Sequence, residues 1–294
     1  MANDLSSPWG KPAVALLGLL ISISLGPPMT SQAADAGGGQ SDEMANWAYA
    51  AFQGTGVYRI GESTMGVLAL QFSSEVDPGW LDEGQGVLEI TYPVIIGVYD
   101  FDVREHGFSN LQERLGTLSL VPGLHFHYQP CDDWLLTPFV EGGVGKIITE
   151  SGYYWIYSGG LESRFSFSLA AEDFMLGNRL RWAGYTVGDS GFSDDYYSLE
   201  SILEYYIDSP WTPLERQAGF SVYLFNQLNF SADVLRYSPG DSLELGSLWE
   251  VGAALELQGE EEGEEDFLNS LRIGLGYRIG HKLRAIKIIF GNVF

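Results

Sequence analysis

Basic residues are scarce in this sequence. The 294 residues include 15 Lys and Arg against 39 Asp and Glu, a formal charge of −24. Phosphate backbones are recognised by clustered cations, so nucleic acid is excluded as a partner. Cysteine is almost missing: Cys131 stands alone, so no intramolecular disulfide can form. It lies in the polar stretch QPCDD and reads as a turn residue. Long apolar runs are absent after the first thirty residues, which excludes a helical membrane protein, whose spans need about 20 apolar residues each. There is no Gly-x-Ser-x-Gly elbow. The acidic run Glu260 to Asp266 lacks the spaced Asp and Asn of a calcium loop and reads as a solvated turn.

The one apolar run sits near the start. Lys11 precedes Ala13 to Leu25, Pro27 and Pro28 break the run, and the small-x-small triplets Ser31-Gln32-Ala33 and Ala34-Asp35-Ala36 follow. This is the pattern of a secretory signal peptide, too short to span a bilayer. The expected organisation is a signal peptide over 1–33, a short segment over 34–51, and one large domain over 52–294. No Cys follows the apolar run, so no lipid anchor is expected.

What fills the rest is an alternation of period two, with 37 Gly and 14% aromatics. In LRIGLGYRI, Leu271, Ile273, Leu275, Tyr277 and Ile279 alternate with Arg272, Gly274, Gly276 and Arg278. SLWEVGAALELQ and LESRFSFSL repeat the pattern, and TLSLVPGLHFHY puts Leu118, Leu120, Leu124, Phe126 and Tyr128 on one face. Successive side chains on a strand point to opposite faces, so each segment has an oily side and a polar or small side. About twelve segments are expected, starting near 52, 64, 87, 117, 134, 159, 174, 196, 218, 247, 269 and 283; ten is the competing count. Their length suits a tilted strand crossing hydrocarbon. Aromatics near segment ends (Tyr128, Trp134, Trp155, Trp182, Trp211, Trp249) suit membrane-interface girdles. The fold class expected is all-β: a transmembrane antiparallel up-and-down barrel in a bacterial outer membrane. With both termini in the periplasm, DFDVREHGFSNLQERL, ESGYYWIYSG, GDSGFSDD and SADVLRYSPGDSLELG become outer links, while QPCDD and AED become tight inner turns.

The chain closes on KIIFGNVF, where Ile286, Ile288, Phe290 and Phe294 share a face. This resembles the C-terminal signal of outer-membrane barrels, which implies recognition by the barrel-assembly machinery. The last third, from LWEVGAALELQ through LRIGLGYRIGHKLRAIKIIFGNVF, resembles the translocator domain of autotransporters, most of all solitary barrels of that type without a passenger. The resemblance implies twelve strands and a helix threading the pore. SDEMANWAYAAF can supply that helix, with Ser41 as N-cap and Asp42 and Glu43 in the first turn. About 18 residues separate Ala33 from the first strand, so no passenger is expected.

Inward positions are expected to carry Glu89, Glu162, Arg164, Arg179, Arg181, Glu200, Glu204, Glu250, Glu256, Arg272, Arg278 and Lys287. Opposite charges in a narrow lumen should pair, because an unpaired buried charge is costly. A largely filled lumen follows. His125 and His127 face inward from one strand; two histidines fall short of a metal site, and a structural role is expected. No catalytic, cofactor or metal residue is assigned. The functional expectation is a structural or surface-interaction barrel, not an enzyme; a narrow solute channel and a barrel hydrolase are the alternatives. Expected partners are outer-membrane lipid, lipopolysaccharide bridged by divalent cations, and the assembly machinery. No surface ligand is indicated.

Overall fold

The computed structural model describes residues 52–60, 63–76, 86–99, 115–148, 152–188, 193–213, 217–230, 235–238, 241–243, 246–258, 270–280 and 283–291. The expected signal peptide, the 34–51 segment with its helix, and Phe294 lie outside these residues.

Seventeen strands run in chain order: β1 (Gly56–Ile60), β2 (Ser63–Leu70), β3 (Ser73–Val76), β4 (Gly86–Thr91), β5 (Val94–Tyr99), β6 (Leu115–Leu120), β7 (Gly123–Cys131), β8 (Trp134–Ile147), β9 (Tyr153–Leu169), β10 (Glu172–Val187), β11 (Ser193–Asp208), β12 (Gln217–Asn229), β13 (Leu235–Ser238), β14 (Asp241–Leu243), β15 (Ser247–Gln258), β16 (Ser270–Gly280) and β17 (Leu283–Phe290). Three pairs are single staves with one break each: β2 with β3, β4 with β5, and β6 with β7. The β13–β14 hairpin stands apart. That leaves twelve staves, each antiparallel to its neighbours. The circuit β8-β6-β5-β2-β1-β17-β16-β15-β12-β11-β10-β9 returns to β8 and closes a barrel. Every stave begins within six residues of its expected start.

The breaks line up. Phe72, Pro93, Pro122 and Gly143 lie at one level on four neighbouring staves. Proline has no N–H to give a ladder, so each proline interrupts its stave. Single backbone bonds carry the pairing across: Tyr92 N to Phe72 O (2.7 Å), Val121 N to Pro93 O (3.2 Å) and Gly142 N to Pro122 O (2.9 Å). Gly143 is required here, since a Cβ on it would sit 2.6 Å from Val121 Cα.

Below this line, β3, β4, β7 and the first half of β8 form a panel. Among the described residues its far strand, β3, pairs with β4 alone, and all four of its residues are exposed. β1 spans only the other half of the wall, pairing Gly56–Ile60 with Lys287–Leu283. The ring of hydrogen bonds is therefore closed at the level of β1 and, among the described residues, open between β3 and the end of β17.

Burial alternates along each stave. On β17 Leu283, Ala285, Lys287 and Ile289 are buried, while Arg284, Ile286, Ile288 and Phe290 are exposed. The large apolar side chains of the exposed set are leucine, isoleucine, valine and aromatic; the buried set faces the lumen. Three sequence expectations are corrected. ESGYYWIYSG is not a link: Tyr153 to Gly160 extend β9, which reaches 17 residues. In GDSGFSDD, Ser193 to Asp195 belong to β11. The first stave begins at Gly56 rather than 52, because Gly54 takes a left-handed φ of 82° and Phe52 and Gln53 turn inside the barrel. The periodicity continued past the membrane-sized length in the first two cases, and a polar Tyr-rich or Asp-rich stretch read as a loop.

The AED turn is tighter than a three-residue link. Leu169 pairs with Glu172 across Ala170 and Ala171 alone, both with positive φ (54° and 69°). This is the backbone of a type I′ turn built from alanines.

Candidate functional site

The alternation that turns an apolar face outward places the charged residues inside, and the register decides which of them meet. Arg179 lies opposite Glu162 on one side and Glu200 on the other. Its guanidinium reaches Glu162 at 2.7 Å and Glu200 at 3.3 Å. Arg164, two residues along from Glu162 on β9, also holds that carboxylate. These four form one cluster on three adjacent staves.

A second cluster centres on Glu250, which is 1% exposed. Arg278, its partner in register, donates from Nε at 2.7 Å; Lys287 lies at 3.5 Å; and the Tyr223 hydroxyl donates at 2.6 Å. Arg278 further binds Gln53, and its guanidinium lies 4.7 Å from the Phe225 ring. A third cluster joins Arg272 to Glu204, with Ser221 at 3.3 Å and the Tyr206 hydroxyl 3.3 Å from Glu204. Glu256 faces inward opposite Arg272 and is half-buried. Arg181 is buried with its guanidinium 5.0 Å from the Phe52 ring and 5.6 Å from the Phe139 ring, and its Nε has no hydrogen-bond partner among the described residues.

The two histidines face the lumen on β7 and part company there. His127 meets Glu89 at 2.9 Å and Thr137 at 3.1 Å. His125 lies 3.4 Å from Glu141 and stacks on Phe139. Glu141 accepts a bond from Ser158. Among the described residues no group of three or more His, Cys, Asp or Glu is placed to hold a metal ion.

Sequence reading missed the uncharged part of the filling. Ile202, Tyr223, Phe225 and Ile289 form a buried apolar cluster, with Met175 against it. Tyr58 and Tyr154 are also fully buried. Their position in the alternation places them inward. Glycines opposite mark them: a Cβ at Gly252 would lie 2.3 Å from the Tyr223 ring, and one at Gly145 would lie 2.2 Å from that of Tyr154. Near the β7–β8 turn the filling stops, and a cavity of about 270 Å³ opens among Asp132, Asp133, Arg164, Glu204, Tyr206 and Arg272.

No protein-family model matches the chain, and no curated protein matches it. Among solved structures it is similar to the crystal structure of the beta domain of the Bordetella autotransporter BrkA. Identity is 13% and the TM-score 0.46, over 80% of this chain and 93% of that one. The twelve-stave architecture of the present chain rests on its own pairing register.

Proposed function

We propose that this chain is an integral outer-membrane β-barrel of translocator type whose lumen is filled by its own side chains, acting as a structural or surface-interaction barrel rather than an open pore. The observation that carries the reading is the Glu250 cluster. Staves β12, β16 and β17 all send polar groups to this one carboxylate on β15, and Gln53 from the chain before β1 accepts from Arg278 beside it, across the space a channel would need. Phe52 and Gln53 already lie inside, which supports entry of the 34–51 segment into the lumen. Outer-membrane lipid meets the exposed apolar face, and the assembly machinery reads Ile286, Ile288, Phe290 and Phe294. Lipopolysaccharide, bridged by divalent cations to the acidic loops, is the surface partner. His125 and His127 have the structural role of holding Glu141 and Glu89.

Planar-bilayer recording tests the filled lumen. The intact chain is expected to give no large steady conductance, and removal of residues 34–51 is expected to raise it. A large steady conductance from the intact chain would sink the reading in favour of a solute channel.

A further inference from the structure

Staves β10 and β11 carry a five-row ladder on their outer face. Phe174 pairs with Tyr205, Leu176 with Leu203, Asn178 with Ser201, Leu180 with Leu199, and Trp182 with Tyr197. Both staves read aromatic, leucine, polar, leucine, aromatic. The outermost rows mark the two water boundaries. At one, the Tyr205 hydroxyl donates to Glu172 at 2.7 Å; at the other, the Trp182 indole donates to Asp195 at 2.9 Å. Asn178 and Ser201 stand midway between these rows, at the level of the bilayer centre. The Ser201 hydroxyl donates to the Asn178 carbonyl at 2.9 Å. Among the described residues the two N–H donors of the Asn178 amide then have no partner; Ser163, opposite Asn178 on β9, accepts from the Trp134 indole at 2.8 Å instead.

Hydrocarbon offers such donors no partner, and polar groups at this depth are strongly disfavoured on a lipid face. Staves β15 and β16 conform: the outward residues between the rims are Val251, Ala253 and Leu255 on β15, and Ile273 and Leu275 on β16. Leu180 and Leu203 flank the polar pair and are 54% and 44% exposed, so none of the described residues covers the patch.

We propose that the β10–β11 face is a membrane-embedded interface between two copies of this chain, centred on Asn178. This rests on the outer-membrane reading above. A second copy in the same bilayer is related by a two-fold axis along the membrane normal, so each residue meets residues of its own depth. Asn178 then faces the Asn178 amide of the other copy. An amide is donor and acceptor at once, so the pair satisfies itself, and leucine rows meet leucine rows. A different partner would need a polar group at that one depth. Side-chain hydrogen bonds and close packing are what hold spanning segments together in lipid, where burial of apolar surface gives no drive.

The experiment uses the full chain in outer-membrane vesicles. Cys131→Ser provides a cysteine-free background, and Asn178→Cys is compared with Leu275→Cys on β16 after mild oxidation. A dimer of this chain cross-linked at least ten-fold more at 178 than at 275 is expected. Equal cross-linking, no cross-linking, or capture of a different protein at 178 overturns the interface. Energy transfer between labelled copies of the otherwise native chain gives the second measurement, and Asn178→Leu is expected to abolish the signal while the folded, heat-shifted gel band persists. An unchanged signal overturns the proposal. Alkaline carbonate separates the two readings: protein extracted from the membrane overturns both, whereas protein retained as monomer overturns the interface alone.

Discussion

The Tyr223 hydroxyl donates to Glu250 at 2.6 Å, while its ring lies across the backbone of the two staves that follow. Gly252 and Gly276 leave the room: a Cβ on either would stand within 2.4 Å of the tyrosine. One aromatic side chain thus couples the packing of the wall to the charge network inside it. Gly252→Val is expected to push the ring off the wall and lower stability by about 1–3 kcal/mol, the usual cost of overpacking. The urea midpoint in lipid vesicles, followed by tryptophan fluorescence, measures it; an unchanged midpoint would show that the ring is free to move.

Glu250 answers for two cations. Glu250→Gln leaves Arg278 and Lys287 buried without their counter-charge, a change that costs roughly 3–5 kcal/mol in buried pairs. Adding Arg278→Gln to the variant should recover a large part of the loss, because the pair is then removed together. If the single and double variants unfold at the same denaturant concentration, the two residues are not coupled.

The alanine turn carries a local cost. A left-handed backbone at a residue with a Cβ costs about 1–2 kcal/mol, and Ala170 and Ala171 both adopt it. Replacing the pair by Asn-Gly, the residues such turns favour, is expected to stabilise the barrel by about 1 kcal/mol or more. The temperature at which the folded gel band is lost should rise; a fall would mean that the turn is held in another way.

The panel of β3, β4 and β7 should be the loosest part of the wall. Among the described residues its far strand has a neighbour on one side only, whereas β10 is paired along its length on both sides. Hydrogen exchange read by mass spectrometry is expected to be fast over residues 73–76 and slow over 196–207. Equal protection would show that the open edge is covered in the membrane.

Much of this was legible from the chain alone. Period-two alternation is a direct image of the pleat, so LRIGLGYRI and LESRFSFSL placed their inward and outward residues without ambiguity. The charged residues followed from the same rule: the inward set included Glu162, Arg179, Glu250 and Arg278, which the register then joined. Ile286, Ile288 and Phe290 share the outward face as expected. What alternation cannot carry is which stave is broken and where. Pro93 and Pro122 are visible as residues, but their alignment with Phe72 and Gly143 depends on register between staves. The inward tyrosines were hidden for a different reason. Tyr is at home at an interface and in a lumen alike, and only the glycines facing it, distant in sequence, tell the two apart. The turn of Gln53 toward Arg278 spans 225 positions, beyond the reach of any local pattern.

Among the described residues the wall is a cylinder hooped at one level and slit at another, the form of a split collar. Around β1 the girth is fixed, because widening there would mean tearing a ladder. At the slit end the β3–β4–β7 leaf is laddered to the rest of the described wall through β8 alone, so a shift of the leaf past its row of prolines would break no rung of the hooped end. Among the described residues, freedom to change girth is thereby left at a single mouth, the one whose inner rim carries the cavity beside Asp132 and Asp133.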